Sequence, residues 1–398
     1  MPRPALDIED VFRRYGAAFQ TQYGRMLTSL HLLVLKALAL CRTAQLGGHI
    51  LECDHCGHTK QAYNSCNNRH CPKCQAGLRA EWFDKREQEL LPVDYFHVVF
   101  TLPAELGPLV LQNKALMYNL LFRATAQTLL EIAAGWKGLQ AKIGFFAILH
   151  TWGQKLDLHP HLHCVVPGGG LSLDETRWVS CQPGFFLPVK MLSRFFRGRF
   201  LALLKAAHRR GELTLEGRLE PLASPRDFSI WLTPIYQKEW VVYAKPPWNG
   251  PQQVLKYLAR YTHRVAIANQ RLLSMDNGQV TFQYKDYRNQ HRQRTLTLPA
   301  TEFIRRFMMH VVPRGFMRIR YYGFLANTHR DKQLDKIRKL LGASQPAPTS
   351  EEQPQDCQHD DPCSQRCPKC NCVTMWPIDI GPRPRLSEIL ELSLLVPT

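Results

Sequence analysis

Ten of the thirteen cysteines lie in two short clusters near the ends of the 398-residue chain. The first cluster falls within residues 53–74 and the second within 357–372. Cysteines spaced as Cys-x-x-Cys supply thiolates to tetrahedral metal sites, and such sites fold segments that are too short to bury a core. Disulfides do not persist in a reducing cytoplasm. The pattern therefore predicts two small metal-binding modules that flank a larger domain.

The first cluster has the spacing of a structural zinc site. It contains two Cys-x-x-Cys pairs, Cys53 with Cys56 and Cys71 with Cys74. Four thiolates at this separation predict a closed tetrahedral Zn²⁺ site, with a redox pair as the alternative. Cys66 and His70 lie between the pairs, where either could replace a ligand or bind a second ion.

The second cluster, "CQHDDPCSQRCPKCNC", predicts a second zinc site, a C-terminal knuckle. Cys367 and Cys370 form its clearest pair. The remaining two ligands are either Cys363 with Cys372 or Cys357 with His359.

The charge balance points to a polyanionic partner. The chain carries 51 Lys and Arg against 33 Asp and Glu, a net charge of +18. Such an excess favours nucleic acid or an anionic membrane surface. No apolar run approaches the roughly 20 residues of a membrane span, and no secretory signal is recognisable at the start. We therefore expect a cytoplasmic protein that binds DNA and no membrane.

The order of helical and strand-like segments predicts an α+β fold with four parts. Residues 1–92 form an N-terminal helical and zinc-binding domain, and 93–342 form a core with a central sheet. Residues 343–362, rich in Pro, Ser and acidic side chains, form a linker. Residues 363–398 form the C-terminal zinc knuckle and tail.

The stretch "LHPHLHCVVPGGG", residues 158–170, carries histidines at alternate positions of a predicted strand. His161 and His163 share one face of that strand, so they can bind one divalent ion and leave part of it open for chemistry. Hydrogen-bonded histidines on a polar face are an equally good interpretation of the spacing alone. His159 has the same parity, but Pro160 interrupts the ladder there. "PGGG" matches no phosphate-binding loop and predicts a turn.

A helix predicted in "VLKYLARYTHRVAI" places Tyr257 and Tyr261 four residues apart, on one face. Arg260 and Arg264 form a second such pair beside them. Tyrosines at this spacing usually serve packing. The functional alternative is covalent catalysis, in which a tyrosine hydroxyl attacks a phosphodiester that a metal ion and the arginines stabilise.

Together, the zinc module, "HPHLHCVV", "YLARYTHRVAIAN" and "GFMRIRYYGFLANTHR" resemble the two-tyrosine HUH transposases of rolling-circle-type bacterial insertion sequences. The resemblance covers roughly residues 40–340. It implies a Rep-like nuclease core, a central antiparallel sheet that carries the histidine pair, and a nucleoid-associated DNA transposase. In the family pattern, His161 and His163 bind the metal, Mg²⁺ or Mn²⁺, and Tyr257 and Tyr261 are the nucleophiles.

The implied reaction cleaves a single DNA strand, retains the 5′ phosphate on tyrosine and frees a 3′ hydroxyl. No motif fixes the third metal ligand. Gln154 is the first choice and His150 the second. Two rival functions remain at this point, namely a metal-independent tyrosine recombinase and a non-catalytic zinc-finger DNA-binding protein.

"FMRIRYYGFLANTHR" mixes cations with aromatic side chains, the combination that grips single-stranded nucleic acid. Arg318, Arg320 and Arg330 are the predicted phosphate contacts. Packing of a basic, amphipathic segment on the core is the alternative.

Overall fold

The computed structural model describes residues 6–245, 266–287, 289, 292–343, 366–371, 375–380, 384 and 386–391. It confirms a mixed fold of helices and antiparallel sheets. The helices are α1 (Ile8–Tyr23), α2 (Ser29–Leu40), α3 (Gln75–Gln88), α4 (Gly107–Gln112), α5 (Lys114–Gly135), α6 (Val189–Arg209), α7 (Pro225–Gln237), α8 (Ala300–Met309), α9 (Arg330–Leu340) and α10 (Leu386–Glu391).

The strands are β1 (Gly48–Cys53), β2 (Thr59–Tyr63), β3 (Tyr95–Thr101), β4 (Ala141–Lys142), β5 (Gly144–Trp152), β6 (Leu158–Pro167), β7 (Gly169–Ser172), β8 (Trp178–Ser180), β9 (Val242–Lys245), β10 (Leu272–Asp276), β11 (Gln279–Asp286), β12 (Arg292–Pro299), β13 (Ile319–Gly323) and β14 (Met375–Ile380). They group into four sheets, whose orders are β14-β1-β2, β10-β11-β12, β13-β5-β6-β3-β9 and β4-β7-β8.

The five-stranded sheet lies at the centre of the fold, and all of its neighbouring strands are antiparallel. Side chains alternate between its two faces, as the pleat of a strand requires. Leu149, Leu162 and Cys164 belong to the largest apolar core, together with residues of α5 and α6. Ile148 and Val165 belong to a second core, with residues of α3 and α9. Helices therefore cover both faces of the sheet.

The N-terminal helices form a third core with a segment that is distant in sequence. α1 and α2 pack against α8 and the sheet β10-β11-β12. Phe12 of α1 meets Phe307 of α8 edge to face, with ring centroids 5.1 Å apart. Thr28 caps α2 by accepting a hydrogen bond from the backbone N–H of His31. Part of the region predicted as the nuclease core thus contributes to the packing of the N-terminal helices.

The C-terminal segment also returns to the N-terminal region. β14 pairs with β1, so the sheet β14-β1-β2 combines residues from both ends of the chain. The two cysteine clusters were expected to form separate modules, and this expectation was wrong. Backbone pairing between distant segments leaves no local trace in sequence.

The glycines of "PGGG" were predicted to form a turn, and this was wrong for two of the three, since only Gly168 lies between β6 and β7. Gly169 and Gly170 lie in β7, between β4 and β8. A Cβ atom on Gly170 would lie 2.6 Å from the carbonyl oxygen of Lys142, and one on Gly169 would lie 2.5 Å from that of Val179. Only glycine lets the neighbouring backbones approach this closely.

Candidate metal centre

Three histidines meet on one face of the central sheet. His161 and His163 come from β6, and His150 comes from the adjacent strand β5, directly opposite His161. One ring nitrogen of each residue can be chosen so that all three lie within 4.8 Å of one another. Strand alternation brought the predicted pair together, and the antiparallel register added the third imidazole.

Hydrogen bonds orient two of these rings. Nδ1 of His161 donates to the carbonyl oxygen of His159 at 2.6 Å, so its Nε2 keeps a free lone pair. Nδ1 of His163 lies 2.6 Å from Nε2 of His97 on β3, and the two rings are nearly coplanar. A partner on the second nitrogen of a ligating histidine fixes both its tautomer and its orientation. His97, which no sequence pattern singled out, is such a partner.

Burial keeps these imidazoles neutral. Desolvation lowers the pKa of His161 to about 3 and that of His97 to about 4. The pKa of His163 is also lowered, first by burial and then by the neighbouring His150 and His161. A neutral imidazole has the lone pair that a metal needs, so His161 and His163 are competent ligands at neutral pH.

Gln154, the first choice for the third ligand, lies elsewhere. It follows the end of β5, and its side-chain oxygen accepts a hydrogen bond from the backbone N–H of Lys285 at 3.3 Å. A register irregularity between His150 and Trp152 precedes it. His150, the second choice, occupies the position beside the histidine pair.

The cysteines assemble into two four-sulfur clusters whose membership differs from the prediction. Cys71 and Cys74 join Cys41 and Cys66, while Cys53 and Cys56 join Cys367 and Cys370. The sulfur atoms of each cluster lie within 4.8 Å of one another. The predicted grouping of the first two pairs was therefore wrong, because Cys71 and Cys74 meet Cys66 of the connecting loop and Cys41 before it, whereas Cys53 and Cys56 meet the C-terminal pair. Cys363 and Cys372, predicted for the C-terminal site, lie outside the described residues.

Two features of the first cluster were not evident from spacing. Cys41 follows the end of α2 and has no Cys-x-x-Cys partner, yet its sulfur lies 3.6 Å from those of Cys71 and Cys74. The thiol of Cys71 also donates to Oε1 of Glu9, a fully buried carboxyl on α1. His70 is not a ligand, because its Nε2 accepts the backbone N–H of Val312 and its Nδ1 bonds to Asn68.

Three basic side chains lie near His70, namely Arg69, Lys114 and Arg318. Among the described residues, no carboxylate contributes to the lowered pKa values of these three side chains. Arg318 is 8% exposed, and burial followed by the charge of Arg69 lowers its pKa to about 9. Burial also lowers the pKa of Lys114 to about 8. Lys114 donates to the carbonyl oxygen of Val311 at 2.9 Å. Within the described residues, the guanidinium of Arg318 has no hydrogen bond or ion pair.

The other two predicted DNA contacts are engaged within the protein. Arg320 donates to Asn119 at 2.5 Å, and its guanidinium lies 4.2 Å from the ring centroid of Phe122. Arg330 forms an ion pair with Glu89 at 3.1 Å. Phe316 and Phe324, two of the aromatic side chains predicted to stack on bases, are buried in apolar cores.

The predicted nucleophiles Tyr257 and Tyr261, and the arginines Arg260 and Arg264 beside them, lie outside the described residues. Their roles remain predictions.

Comparison with known proteins identifies the relatives of this chain. A family described as a transposase zinc-binding domain matches residues 11–102, and one described as a putative transposase matches 144–333. The chain is 51% identical over 385 residues to a putative transposase of Sinorhizobium fredii, covering 96% of each protein. It is 30% identical over 322 residues to the transposase for insertion sequence element IS801 of Pseudomonas savastanoi pv. phaseolicola, covering 79% of this chain and 75% of the relative. The chain belongs to this family of insertion-sequence transposases.

The sites of this transposase fall into different matched regions. The histidine centre and Arg318 lie in the second matched region, and six clustered cysteines, from Cys41 to Cys74, lie in the first. Cys367 and Cys370 lie in neither. The zinc-binding match and the two sulfur clusters support Zn²⁺ as a bound metal. No solved structure matches the chain. Among the described helices, none is both long and apolar enough to span a bilayer.

Proposed function

We propose that this transposase cleaves and rejoins single DNA strands through tyrosine, with a divalent ion bound by His150, His161 and His163. The convergence of three imidazoles from two adjacent strands carries the proposal. The proposed core is the Rep-like nuclease fold, to which the antiparallel sheet with histidines at its centre corresponds. The family to which the chain belongs gives this site a task in DNA movement.

The donor set selects among divalent ions. Mg²⁺ prefers oxygen ligands and retains water, whereas imidazole suits the transition metals. Three imidazoles therefore fit Mn²⁺ better than Mg²⁺. The hydrogen bond that Nδ1 of His161 donates leaves its Nε2 as the metal-ligating nitrogen, and the same holds for His163 in the tautomer whose Nδ1 donates to His97. An ion bound there would supply Lewis-acid stabilisation of the charge that develops on the scissile phosphate.

In the proposed reaction, the hydroxyl oxygen of Tyr257 or Tyr261 attacks the phosphorus atom. A bond forms between tyrosine and phosphorus, the bond to the 3′ oxygen breaks, the phenol loses its proton and the 3′ oxygen gains one. The second tyrosine repeats the step for strand transfer. In the sequence, the two tyrosines follow β9, which pairs with β3 as β3 pairs with β6, the strand of His161 and His163.

The basic side chains supply the contact with DNA in this proposal. His70 is surrounded by Arg69, Lys114 and Arg318. Burial is the largest cause of the lowered pKa of His70, and the charges of these three side chains lower it further. The backbone N–H of Leu149 donates to the carbonyl oxygen of Arg318, so the backbone of this cluster begins at the edge of the central sheet, one residue along from His150. A phosphate bound there would offset the cost of burying unpaired cations. The strand would then run from the histidine centre along this cluster.

The test is incubation of the purified protein with labelled single-stranded oligonucleotides from the ends of its element, with Mn²⁺. We expect a covalent adduct at Tyr257 or Tyr261, attached to a 5′ phosphate, and a free 3′ hydroxyl. EDTA and His163→Ala should abolish the adduct. His208→Ala is the matched control, because this histidine stacks on Phe228 away from the sheet centre.

Other outcomes identify the rival functions. An adduct at the 3′ phosphate that forms in EDTA would establish a metal-independent recombinase. DNA binding without any adduct, unchanged in the Tyr257→Phe and Tyr261→Phe double variant, would establish a non-catalytic zinc-finger protein. An adduct at another residue would refute the assignment of the nucleophiles.

A further inference from the structure

The two Cys-x-x-Cys pairs of the second sulfur cluster have the same local geometry. After Cys53 and Cys56, Gly57 has a φ of +64° and its N–H donates to the carbonyl oxygen of Cys53 at 2.9 Å. After Cys367 and Cys370, Asn371 has a φ of +60° and its N–H donates to the carbonyl oxygen of Cys367 at 2.8 Å. Each turn ends in the left-handed conformation that glycine and asparagine tolerate. Both pairs are therefore folded as metal-binding knuckles.

The sulfur atoms of the two knuckles lie close together in the folded chain. The sulfur of Cys53 lies 3.5 Å from that of Cys370, and the sulfur of Cys56 lies 3.5 Å from that of Cys367. Each pair alone supplies half of a tetrahedral zinc site, and together they complete a site with four thiolates. More than 300 residues of chain separate the two halves.

Contacts on either side hold the same two segments together. β14 follows the second knuckle and pairs with β1, which leads into the first. Ile389 of α10 is buried in the core of the N-terminal helices, and Lys36 of α2 donates to the carbonyl oxygen of Leu390. These contacts are small in area, because β14 and α10 have six residues each. A metal bond is the strongest link available between segments of this size.

We propose that one zinc ion, bound by Cys53, Cys56, Cys367 and Cys370, clamps the C-terminal segment onto the N-terminal zinc domain. The family matches end at residue 333, so the clamp extends beyond the regions that they cover. Loss of this ion would free β14 and α10 and expose the edge of β1. The clamp is independent of the catalytic proposal, since it uses none of the same residues.

Zinc counting in a double-mutant cycle tests the clamp. The variants are Cys53→Ser with Cys56→Ser, Cys367→Ser with Cys370→Ser, and all four together. We expect each pair to lose one zinc equivalent relative to the parent chain and the quadruple variant to lose the same single equivalent. Two independent sites would instead make the losses additive, at two equivalents, and would overturn the proposal.

Two controls separate ligation from general damage. Cys181→Ser, outside both clusters, should retain all zinc. Cys370→His keeps a zinc-binding side chain and should restore the equivalent that Cys370→Ser loses. If Cys370→His and Cys370→Ser retain the same amount as the parent chain, Cys370 is not a ligand and the clamp is refuted.

Cleavage of the chain provides a readout that does not depend on the first two variants folding. A specific protease site inserted after residue 350 allows the full-length protein to be cut between the two knuckles. The C-terminal fragment should remain bound in the presence of zinc and dissociate when a chelator removes it. Dissociation while the larger fragment keeps the zinc of both cysteine clusters, or retention after complete zinc removal, would contradict the clamp.

Discussion

Replacement of Arg318 by methionine separates a DNA-binding role from a structural one, because the two roles predict opposite changes in stability. Arg318 is 8% exposed, and its guanidinium has neither a hydrogen bond nor an ion pair within the described residues. The charged side chain that acts on it among these residues is another cation, Arg69. A buried arginine that stabilised the fold would instead have a carboxylate or carbonyl partner. We therefore expect Arg318→Met to raise the free energy of unfolding while weakening the binding of single-stranded DNA.

The size of the stabilisation follows from the cost of burying the charge. Desolvation and the repulsion from Arg69 lower the pKa of Arg318 to about 9. Each tenfold change in an ionisation constant corresponds to about 1.4 kcal/mol, so the charged form is disfavoured by on the order of 5 kcal/mol. Methionine keeps much of the apolar contact of the arginine side chain. Because the shorter methionine loses part of this packing, we expect a net gain of roughly 1–3 kcal/mol.

Urea unfolding without DNA measures the first effect, and DNA titrations at several salt concentrations measure the second. Loss of one phosphate contact should reduce the slope of log K against log salt by about 0.7 for a single strand. Arg338→Met is the matched control. Arg338 is 9% exposed, but it donates to the carbonyl oxygen of Gln88 at 2.8 Å and lies 3.4 Å from Asp335. This variant should be destabilised, with DNA binding unchanged.

The result that would refute the reasoning is a destabilised Arg318→Met protein whose DNA affinity and salt slope match those of the parent chain. Arg318 would then be a packing residue whose charge is tolerated. Stabilisation without any change in DNA binding would leave the burial cost correct and remove Arg318 from the proposed path of the strand.

Three further outcomes follow from the structure. Burial lowers the pKa of His310 to about 3, so the unfolded chain takes up a proton at pH values where the folded chain does not. The free energy of unfolding should thus fall as pH drops from about 6.5 towards 3, and His310 should account for about 2 kcal/mol of this loss between pH 7 and 5. Urea titrations of His310→Gln should therefore show a weaker pH dependence than those of the parent chain. His97→Ala should weaken Mn²⁺ binding by about 10- to 100-fold in calorimetry, and His97→Gln should restore part of it; unchanged affinity would exclude an orienting role. Gly170→Ala should lower the midpoint of thermal unfolding, because its Cβ would lie 2.6 Å from the carbonyl oxygen of Lys142, whereas Gly198→Ala, with open space around its Cβ, should not.

Local patterns in the sequence predicted the local features of the fold. Strand alternation placed His161 and His163 on one face, and the mixture of helical and strand periodicities gave the α+β class. These features depend on residues that are close in sequence. His150 shows where such reasoning stops, since its position opposite His161 depends on the register between β5 and β6. That register is set by the connection between the strands and by packing on both faces of the sheet.

The cysteines show the same limit on a larger scale. A Cys-x-x-Cys turn specifies half of a tetrahedral site and carries no information about which second half it meets. Cys53 and Cys56 meet a pair more than 300 residues away, and Cys41 joins its cluster from the end of a helix without any motif. Both choices depend on how α1, α2 and β14 pack. The spacing therefore predicted the chemistry correctly and the partners incorrectly.

The histidine centre and the buried cations share a physical cause. Removal from water keeps His161 and His163 neutral and makes them good ligands, and it also makes the charge of Arg318 costly. The backbone of Arg318 is hydrogen-bonded to that of Leu149, the residue that precedes His150 and faces the other side of the sheet. A phosphodiester strand bound across both would neutralise the cations and contribute oxygen ligands beside the imidazoles. The free protein thus holds this surface at an energetic cost, and DNA is the partner whose charge and ligand atoms would remove it.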